Sequence, residues 1–361
     1  MSVLTRVMAR PHDMVALSGQ EWDQLLVLAR SSRLLARLHG QAEDAGLLQD
    51  IPTVAREVLE SARIYADYRQ LLARRELYHL DELFAHLGFP VVLLKGAAYL
   101  LGDVPMGKGR RLNDIDLLVP RARLDEVESL LREMGWDFEE ALSDYDDHYY
   151  REWSHEIPPL RHVESPLELD LHHNLIQPTS RIKLDASLLF QSLVPVPGTC
   201  FSVLAPTDML LHSATHLFMS DELRGGLRDL VDMHMLVEHS LRQDADFWSA
   251  LVRRAEQLGL QRPLYYAVSA MRRLLNATVP DEAWRQISSW RPIWPVDSML
   301  RRAIDRHLAP AALQDKSWIA EQLLYLRSHW IRMPPGLLLR HLAYKAWLGL
   351  RSRPAGGAVG Q

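Results

Sequence analysis

Residues 91–120, VVLLKGAAYLLGDVPMGKGRRLNDIDLLVP, constrain this chain more than any other part of it. A first apolar run ends at Lys95-Gly96, a glycine-rich loop follows, and a second apolar run contains Asp114 and Asp116. In LNDIDLLV the two aspartates alternate with apolar residues, so on a strand both carboxylates point from one face. Two carboxylates on one face of a hydrophobic strand repel each other unless a positive charge lies between them. The stretch therefore predicts a strand that binds a cation, and a divalent metal ion is the usual one.

Strand and helix patterns alternate around this stretch. Apolar runs of strand length recur, and an amphipathic helix pattern over 124–134 ends at Gly135. This order predicts an α+β fold with α/β-like alternation and a small mixed β-sheet. The predicted strands are 91–94, 114–119, 136–138, 148–153 and 167–172.

Helical patterns flank this core on both sides. Ser18 can cap a pattern that runs through 18–48 as one or two helices, and 52–87 has the apolar spacing of a long amphipathic helix. Helical spacing returns from 206 onward. We expect N-terminal helices over 1–88, the sheet core over 89–200, a mainly helical domain over 201–350 and a disordered tail over 351–361.

Composition excludes several classes of protein. The net charge is −5 and the pI is near 6.3, so no global basic field indicates nucleic-acid binding, although a local basic patch stays open. Cys200 is the only cysteine, which excludes an intrachain disulfide and a cysteine-based zinc cluster and fits a reducing compartment. The N-terminus lacks a signal-peptide core, and no window approaches about 18 uninterrupted apolar residues. We expect a cytoplasmic protein without a transmembrane segment.

A third acid lies on a separate predicted strand. In LELDLH, Asp170 stands between two leucines, and Glu168 precedes it by two residues on the same face. Three carboxylates from two neighbouring strands can hold two Mg²⁺ ions about 4 Å apart, the arrangement used for in-line displacement at phosphorus. Because Mg²⁺ prefers few carboxylates together with phosphate oxygens and water, the pattern favours a nucleotide site over a closed structural site.

Residues before the acid pair are suited to bind phosphate. Lys95, Gly96 and Ala97 lie where a strand opens into a helix, and free backbone N–H groups there would point at an anion. Arg110 and Arg111 come just before the acidic strand, and their guanidinium groups can contact phosphate oxygens in a forked geometry.

Taken in order, LLKG, an arginine-containing loop, NDIDLLV, a helix that ends in Gly-Trp, and LDLHHNL resemble the uncharacterised nucleotidyltransferase family of the DNA polymerase β-like superfamily. The resemblance covers roughly residues 85–235, including PTDMLLHSATH and RDLVDMHMLV, which look like downstream helices of that family. Gly96 matches the turn glycine of the superfamily pattern, Asp114 and Asp116 match the acid pair, and Asp170 matches the distant third acid. Ala97 departs from it, because many members have a serine there whose hydroxyl contacts phosphate.

The resemblance implies a nucleotidyltransferase that moves an NMP group from an NTP, such as ATP, to an acceptor hydroxyl and releases pyrophosphate. Asp114, Asp116 and Asp170 would be both the metal ligands and the catalytic acids, with Asp170 at the metal that activates the acceptor or acting as the base. Two Mg²⁺ ions are expected, with Mn²⁺ as a substitute. The acceptor stays open among a small molecule, a peptide, a protein and RNA.

Two alternatives remain open. Ala97 favours a catalytically reduced module that binds a nucleotide or a partner without turnover. The same metal site would also serve a phosphotransferase that moves the γ-phosphate. Release of pyrophosphate or of ADP distinguishes transfer of the nucleotidyl group from transfer of the phosphoryl group.

Three further residues are candidate accessory groups. His172 follows Asp170 by two residues, so it points to the same strand face and either orients the acid or acceptor or is an ordinary hydrogen-bonded histidine. His216 is expected to pack or to face the active site. Asp232 matches a family position, and we expect it to form a structural ion pair with an arginine, with substrate positioning as the alternative.

Two segments remain without a firm role. The aromatic cluster of Tyr145, Tyr149, Tyr150 and Trp153 is expected to pack a strand-rich surface, with base stacking as the alternative. The basic amphipathic segment GLLLRHLAYKAWLGLRSR is expected to be a terminal helix docked on the helical domain, with a membrane-surface or partner role open.

Overall fold

The computed structural model describes residues 2–102, 104–139, 149–219, 223–309 and 318–332, with residue 336. Its helices are α1 (Val3–Ala9), α2 (Gly19–Ser31), α3 (Leu35–Asp44), α4 (Thr53–Phe84), α5 (Lys95–Leu101), α6 (Leu124–Glu133), α7 (Pro206–Met219), α8 (Leu227–Gln243), α9 (Phe247–Gln257), α10 (Gln261–Leu274), α11 (Asp281–Ser289), α12 (Val296–Leu308) and α13 (Trp318–Arg332). The strands are β1 (Val91–Leu93), β2 (Asp114–Leu118), β3 (Asp137–Phe138), β4 (Leu160–Arg161), β5 (Glu168–His172), β6 (Leu193–Pro195) and β7 (Phe201–Leu204). The predicted tail, the basic C-terminal segment and Tyr145 lie outside the described residues.

The strands form one mixed seven-stranded sheet in the order β3-β4-β5-β2-β1-β7-β6. β2 pairs parallel with β5, and β1 pairs parallel with β7, while the remaining neighbours are antiparallel. The predicted α+β class and its mixed sheet are confirmed. The central strands β1, β2 and β5 are largely buried apolar sequence, as expected for strands covered on both faces.

The predicted strand over 148–153 is wrong, because residues 149–152 are helical. The backbone N–H of Trp153 donates to the carbonyl of Tyr149 at 2.9 Å, and the two rings pack edge to face with centroids 6.0 Å apart. These aromatic residues are four apart, a spacing that brings side chains together on a helix. Their packing therefore supports a helical turn, and the segment adds no strand to the sheet.

The N-terminal helices hold the glycine-rich loop that precedes β2. Helix α2 begins with a capping box between Ser18 and Glu21, and the 32-residue α4 runs past the loop. From α4, the side-chain amide of Gln70 donates to the carbonyls of Gly107 and Arg110, each at 2.8 Å. The N-terminal region thus fixes the backbone from which Arg110 and the acidic strand follow.

The C-terminal helices pack around α7, which contacts α8, α9, α10 and α13 and also strand β7. Most of α7 is buried, including Leu210, Leu211 and Phe218. Its polar residues at Ser213 and His216 reach pockets beside the acidic strands. In the part of the chain that the structure describes, no helix is long and apolar enough to cross a membrane.

Candidate active site

The sheet register places the three predicted acids together. Asp116 of β2 lies opposite Asp170 of β5, and Asp114 lies opposite Glu168. Since the two strands are parallel and the carboxylates are two residues apart along β2, all three face one side of the sheet. Asp116 is buried with 1% exposure, whereas Asp114 is exposed and Asp170 is partly buried, and both line one pocket.

A short chain of polar contacts holds Asp116. Lys95 Nζ donates to Asp116 Oδ1 at 2.6 Å, and His172 Nε2 lies 3.2 Å from the same oxygen. The other ring nitrogen of His172, Nδ1, is 3.1 Å from Glu156 Oε2. Residue Lys95 has a φ of 44°, an unusual value for a non-glycine residue, at the abrupt turn from β1 into α5. Backbone strain at this turn accompanies the contact between the lysine and the acid.

The three acids differ in their affinity for protons. Burial opposes ionisation of Asp116, but the attraction of Lys95 and the hydrogen bond with His172 outweigh it and hold the pKa of Asp116 below its ordinary value. Burial, followed by the charge of Asp116, raises the pKa of Asp170 to about 7. Desolvation, again followed by repulsion from Asp116, raises the pKa of Asp114. The protein therefore neutralises one carboxylate of the cluster and leaves two short of positive charge.

This donor set fits divalent metal ions. Carboxylates are the protein ligands that Mg²⁺ and Mn²⁺ prefer, and an ion beside Asp114 and Asp170 would supply the charge that their raised pKa values lack. Asp116 would be the shared ligand, because it stands between the other two in the paired strands. Among the described contacts, Lys95 donates a hydrogen bond to Asp116 and to neither of the other two acids.

The pocket beside these acids has a volume of about 220 Å³, and its lining contains four cationic and five acidic side chains. Arg111 and Arg228 line it, and Arg228 Nη2 is 3.2 Å from Asp229 Oδ1. Tyr99 and Ser213 also line it, with their hydroxyl oxygens 3.0 Å apart. An anion of phosphate type can be bound here by guanidinium groups close to the carboxylates.

Arg110 is buried and already paired with acids. One guanidinium nitrogen contacts Asp232, a second lies 3.4 Å from Asp229, and the guanidinium carbon lies 5.4 Å from the centroid of the Tyr99 ring. Arg37 Nη2 also donates to Asp232 at 3.0 Å. Arg110 lines the pocket, but Asp232 is an ion-pair partner of two buried arginines, the role favoured from the sequence.

The remaining predicted residues divide between the pocket and the core. Gly96 lines the pocket, and a Cβ there would lie 3.4 Å from Arg110 Nε, so the absence of a side chain lets the arginine approach. Ala97 is fully buried and does not line the pocket. Arg111 stacks 5.2 Å from the ring centroid of Tyr65, and its Nε donates to Asn113 Oδ1 at 2.9 Å. His216 lines this pocket and a second one beside it.

Several pocket residues were missed from the sequence. Glu156 reaches the site because its backbone forms an isolated bridge with His172. No local pattern predicts that bridge. Arg228 and Asp229 could have been found, because Asp229 and Asp232 are three apart on α8 and therefore share a helix face. Two acids on one buried face indicate nearby cations.

The site thus consists of three clustered carboxylates on a mixed β-sheet, beside a pocket that arginines also line. A protein-family model described as "Uncharacterised nucleotidyltransferase" matches residues 18–276, which is more than half of the chain. The chain belongs to this family of nucleotidyltransferases. Searches of curated proteins and of solved structures found no significant match.

Proposed function

We propose that this protein transfers a nucleotidyl group from a nucleoside triphosphate to an acceptor hydroxyl with the help of two divalent metal ions, Mg²⁺ or Mn²⁺. The observation that carries the proposal is the register of β2 and β5, in which Asp116 faces Asp170 while Asp114 lies on the same side. Membership of a nucleotidyltransferase family supports the reaction class.

The three aspartates would be the metal ligands. Asp114, Asp116 and Asp170 would hold the ions, which supply stabilisation of the phosphoryl oxygens and a lower pKa for the acceptor hydroxyl. Lys95 keeps Asp116 ionised and in place through their 2.6 Å contact. The His172 ring holds the same carboxylate from the other side.

Two arginines of the pocket would bind the triphosphate. Arg111 and Arg228 line the pocket near the acids and would offset the negative charge of the phosphates. Arg110 would hold the pocket wall in place and leave the phosphates to the other arginines, because its guanidinium group is already paired with Asp229 and Asp232. In the reaction the acceptor oxygen bonds to the α-phosphorus, the bond from that phosphorus to the bridging oxygen breaks, and pyrophosphate leaves with the electron pair. The hydroxyl proton passes to Asp170 or to water.

Incubation with α-labelled and γ-labelled NTPs, Mg²⁺ or Mn²⁺ and a cell extract tests the proposal. We expect the α-label to appear on a new species with release of pyrophosphate. Asp114→Asn and Asp116→Asn should each lower transfer by about two orders of magnitude or more, since each removes a ligand of charge-stabilising ions. Asp125→Asn, on the exposed start of α6, is the matched control and should retain activity.

The other outcomes separate the alternatives. Transfer of the γ-label with formation of ADP would replace nucleotidyl transfer by phosphotransfer. Metal-dependent binding of an NTP without label on any species would identify a binding module. Full activity in both aspartate variants would refute the assignment of the site.

A further inference from the structure

A second cavity, of about 260 Å³, lies next to the nucleotide pocket. The two cavities share Glu156 and His216 in their walls. His172, which contacts Asp116, also lines the second cavity. A molecule bound in the second cavity would therefore lie close to the three aspartates and apart from the arginines that line the first cavity.

The charges of the two cavities differ. The nucleotide pocket is lined by four cationic side chains, those of Lys95 and three arginines, together with five carboxylates. Among the described residues that line the second cavity there is no lysine or arginine, and the only acid is Glu156. A guanidinium or ammonium partner for an anionic group is thus present in the first cavity and is not among the described residues that line the second.

Buried polar atoms in the second cavity lack hydrogen-bond partners. Thr215 is 1% exposed, and its hydroxyl oxygen has no hydrogen-bond partner within the part of the chain that the structure describes. The side-chain carbonyl oxygen of Gln177 is likewise buried without a partner. Leaving such groups unpaired costs about 1–3 kcal/mol each, so a ligand that bonds to them regains free energy. Both residues line the same cavity, and their unpaired oxygens point to a hydroxyl- or amine-bearing molecule.

The rest of the wall is apolar and built from separate elements. Leu175, Ile176 and Met219 line one part, and Ile331 of α13 closes another. The carbonyl of Ile331 accepts hydrogen bonds from the backbone N–H of Arg181 at 2.9 Å and from Ser180 Oγ at 3.2 Å. A defined apolar surface with a few polar groups is the usual composition of a small-molecule site.

Of the four histidines in the wall, His172 lies between the carboxylates of Asp116 and Glu156, whereas His212 and His216 are neutral. Burial, followed by the charge of Lys95, lowers the pKa of His212 well below its ordinary value. The charge of Lys95 is the largest influence on His216 and also lowers its pKa. Neutral imidazoles donate and accept hydrogen bonds without attracting an anion.

We propose that the second cavity binds the acceptor, and that the acceptor is a small hydroxyl compound that is uncharged or cationic and has an apolar face. The inference rests on the proposed nucleotidyl transfer and narrows its acceptor. The inference therefore favours a small molecule over a peptide chain, a protein or RNA, since the whole acceptor would fit a cavity of about 260 Å³ between α7, α13 and β5.

The first test separates acceptors by charge. The small-molecule fraction of a cell extract is divided by ion exchange into cationic, neutral and anionic pools, and each pool is incubated with the four α-labelled NTPs and Mn²⁺. Label in the cationic or neutral pool supports the inference. Label confined to the anionic pool or to macromolecules overturns it while leaving nucleotidyl transfer intact. Absence of label in every pool and in the whole extract overturns the proposed function as well.

The second test uses Thr215→Val, which removes the unpartnered hydroxyl and keeps the shape. We expect stability to be unchanged or raised, NTP binding to be unchanged, and the KM for the labelled pool to rise about tenfold, the equivalent of one lost hydrogen bond. Ser240→Ala is the matched control, because Ser240 is also a buried hydroxyl without a partner in the described residues and lines neither cavity. An unchanged KM in Thr215→Val, or an equal change in both variants, would contradict the assignment of the cavity.

Discussion

Replacing Asp170 with asparagine is expected to stabilise the metal-free protein. The pKa of Asp170 rises to about 7 in the folded chain, against about 3.9 in an unfolded one. Since each pKa unit corresponds to about 1.4 kcal/mol, full ionisation of this group costs about 4 kcal/mol of stability. Partial exposure of the side chain to water reduces the expected gain to about 2 kcal/mol.

The sign of this effect depends on pH. The folded protein retains the Asp170 proton between about pH 4 and pH 7 while the unfolded chain has lost it, so the free energy of unfolding falls as pH rises through this range. The difference between Asp170→Asn and the wild type should be near zero at pH 4 and complete at pH 8. Denaturation by urea in EDTA, followed by fluorescence of the ten tryptophans, measures it.

Asp116→Asn is expected to lower the stability of the metal-free protein, the opposite of the effect of Asp170→Asn. It leaves Lys95 and His172 without their shared anion, and removing one partner of a buried pair costs about 3–5 kcal/mol. Addition of Mn²⁺ should stabilise the wild type more than Asp170→Asn. The reasoning is refuted if Asp170→Asn is less stable than the wild type at pH 8, or if the two aspartate variants change stability in the same direction.

Three further results are expected. Asp232→Asn leaves two buried arginines without their anion and should lower the free energy of unfolding by about 3–5 kcal/mol in urea denaturation, whereas Asp67→Asn at an exposed pair should have little effect. Gly109→Ala should lower the denaturation midpoint strongly, because φ is +69° and the new Cβ would lie 2.6 Å from a carbonyl oxygen of α3. The control Gly46→Ala has the same φ with nothing within 4 Å and should cost only about 1–2 kcal/mol. Burial raises the pKa of Cys200 to about 12, so iodoacetamide should label it at pH 8 only after unfolding; rapid labelling of the native protein would contradict this.

The sequence was informative where the chemistry is local. Alternation of aspartate with apolar residues predicts the face of β2, and the same pattern around Asp170 predicts β5. The pairing that brings Asp116 opposite Asp170 is not local, and periodicity does not predict which strands are neighbours. The sequence analysis placed Asp170 with the acid pair because isolated strand acids suit a two-metal site, and the family resemblance supported that placement.

Contacts between distant segments could not be predicted in this way. The Asp232 carboxylate binds Arg37 and Arg110, which come from an N-terminal helix and from the loop before β2. Gln70 binds that loop from α4. Arginine and glutamine on an amphipathic helix are ordinary surface residues in sequence, so their burial against the loop gives no periodic signal.

Lys95 lies at a turn with positive φ and forms an ion pair with Asp116. Its ammonium neutralises Asp116 in the absence of metal, and this lets a hydrophobic strand contain an ionised carboxylate. Among the described residues Asp114 and Asp170 form no comparable ion pair, and burial together with the charge of Asp116 raises the pKa of each. A protein selected only for stability would supply a second cation or remove an acid. We propose that a metal ion offsets the retained deficit of positive charge, and that Arg111 and Arg228, which line the same pocket, bind the polyphosphate that this ion would carry.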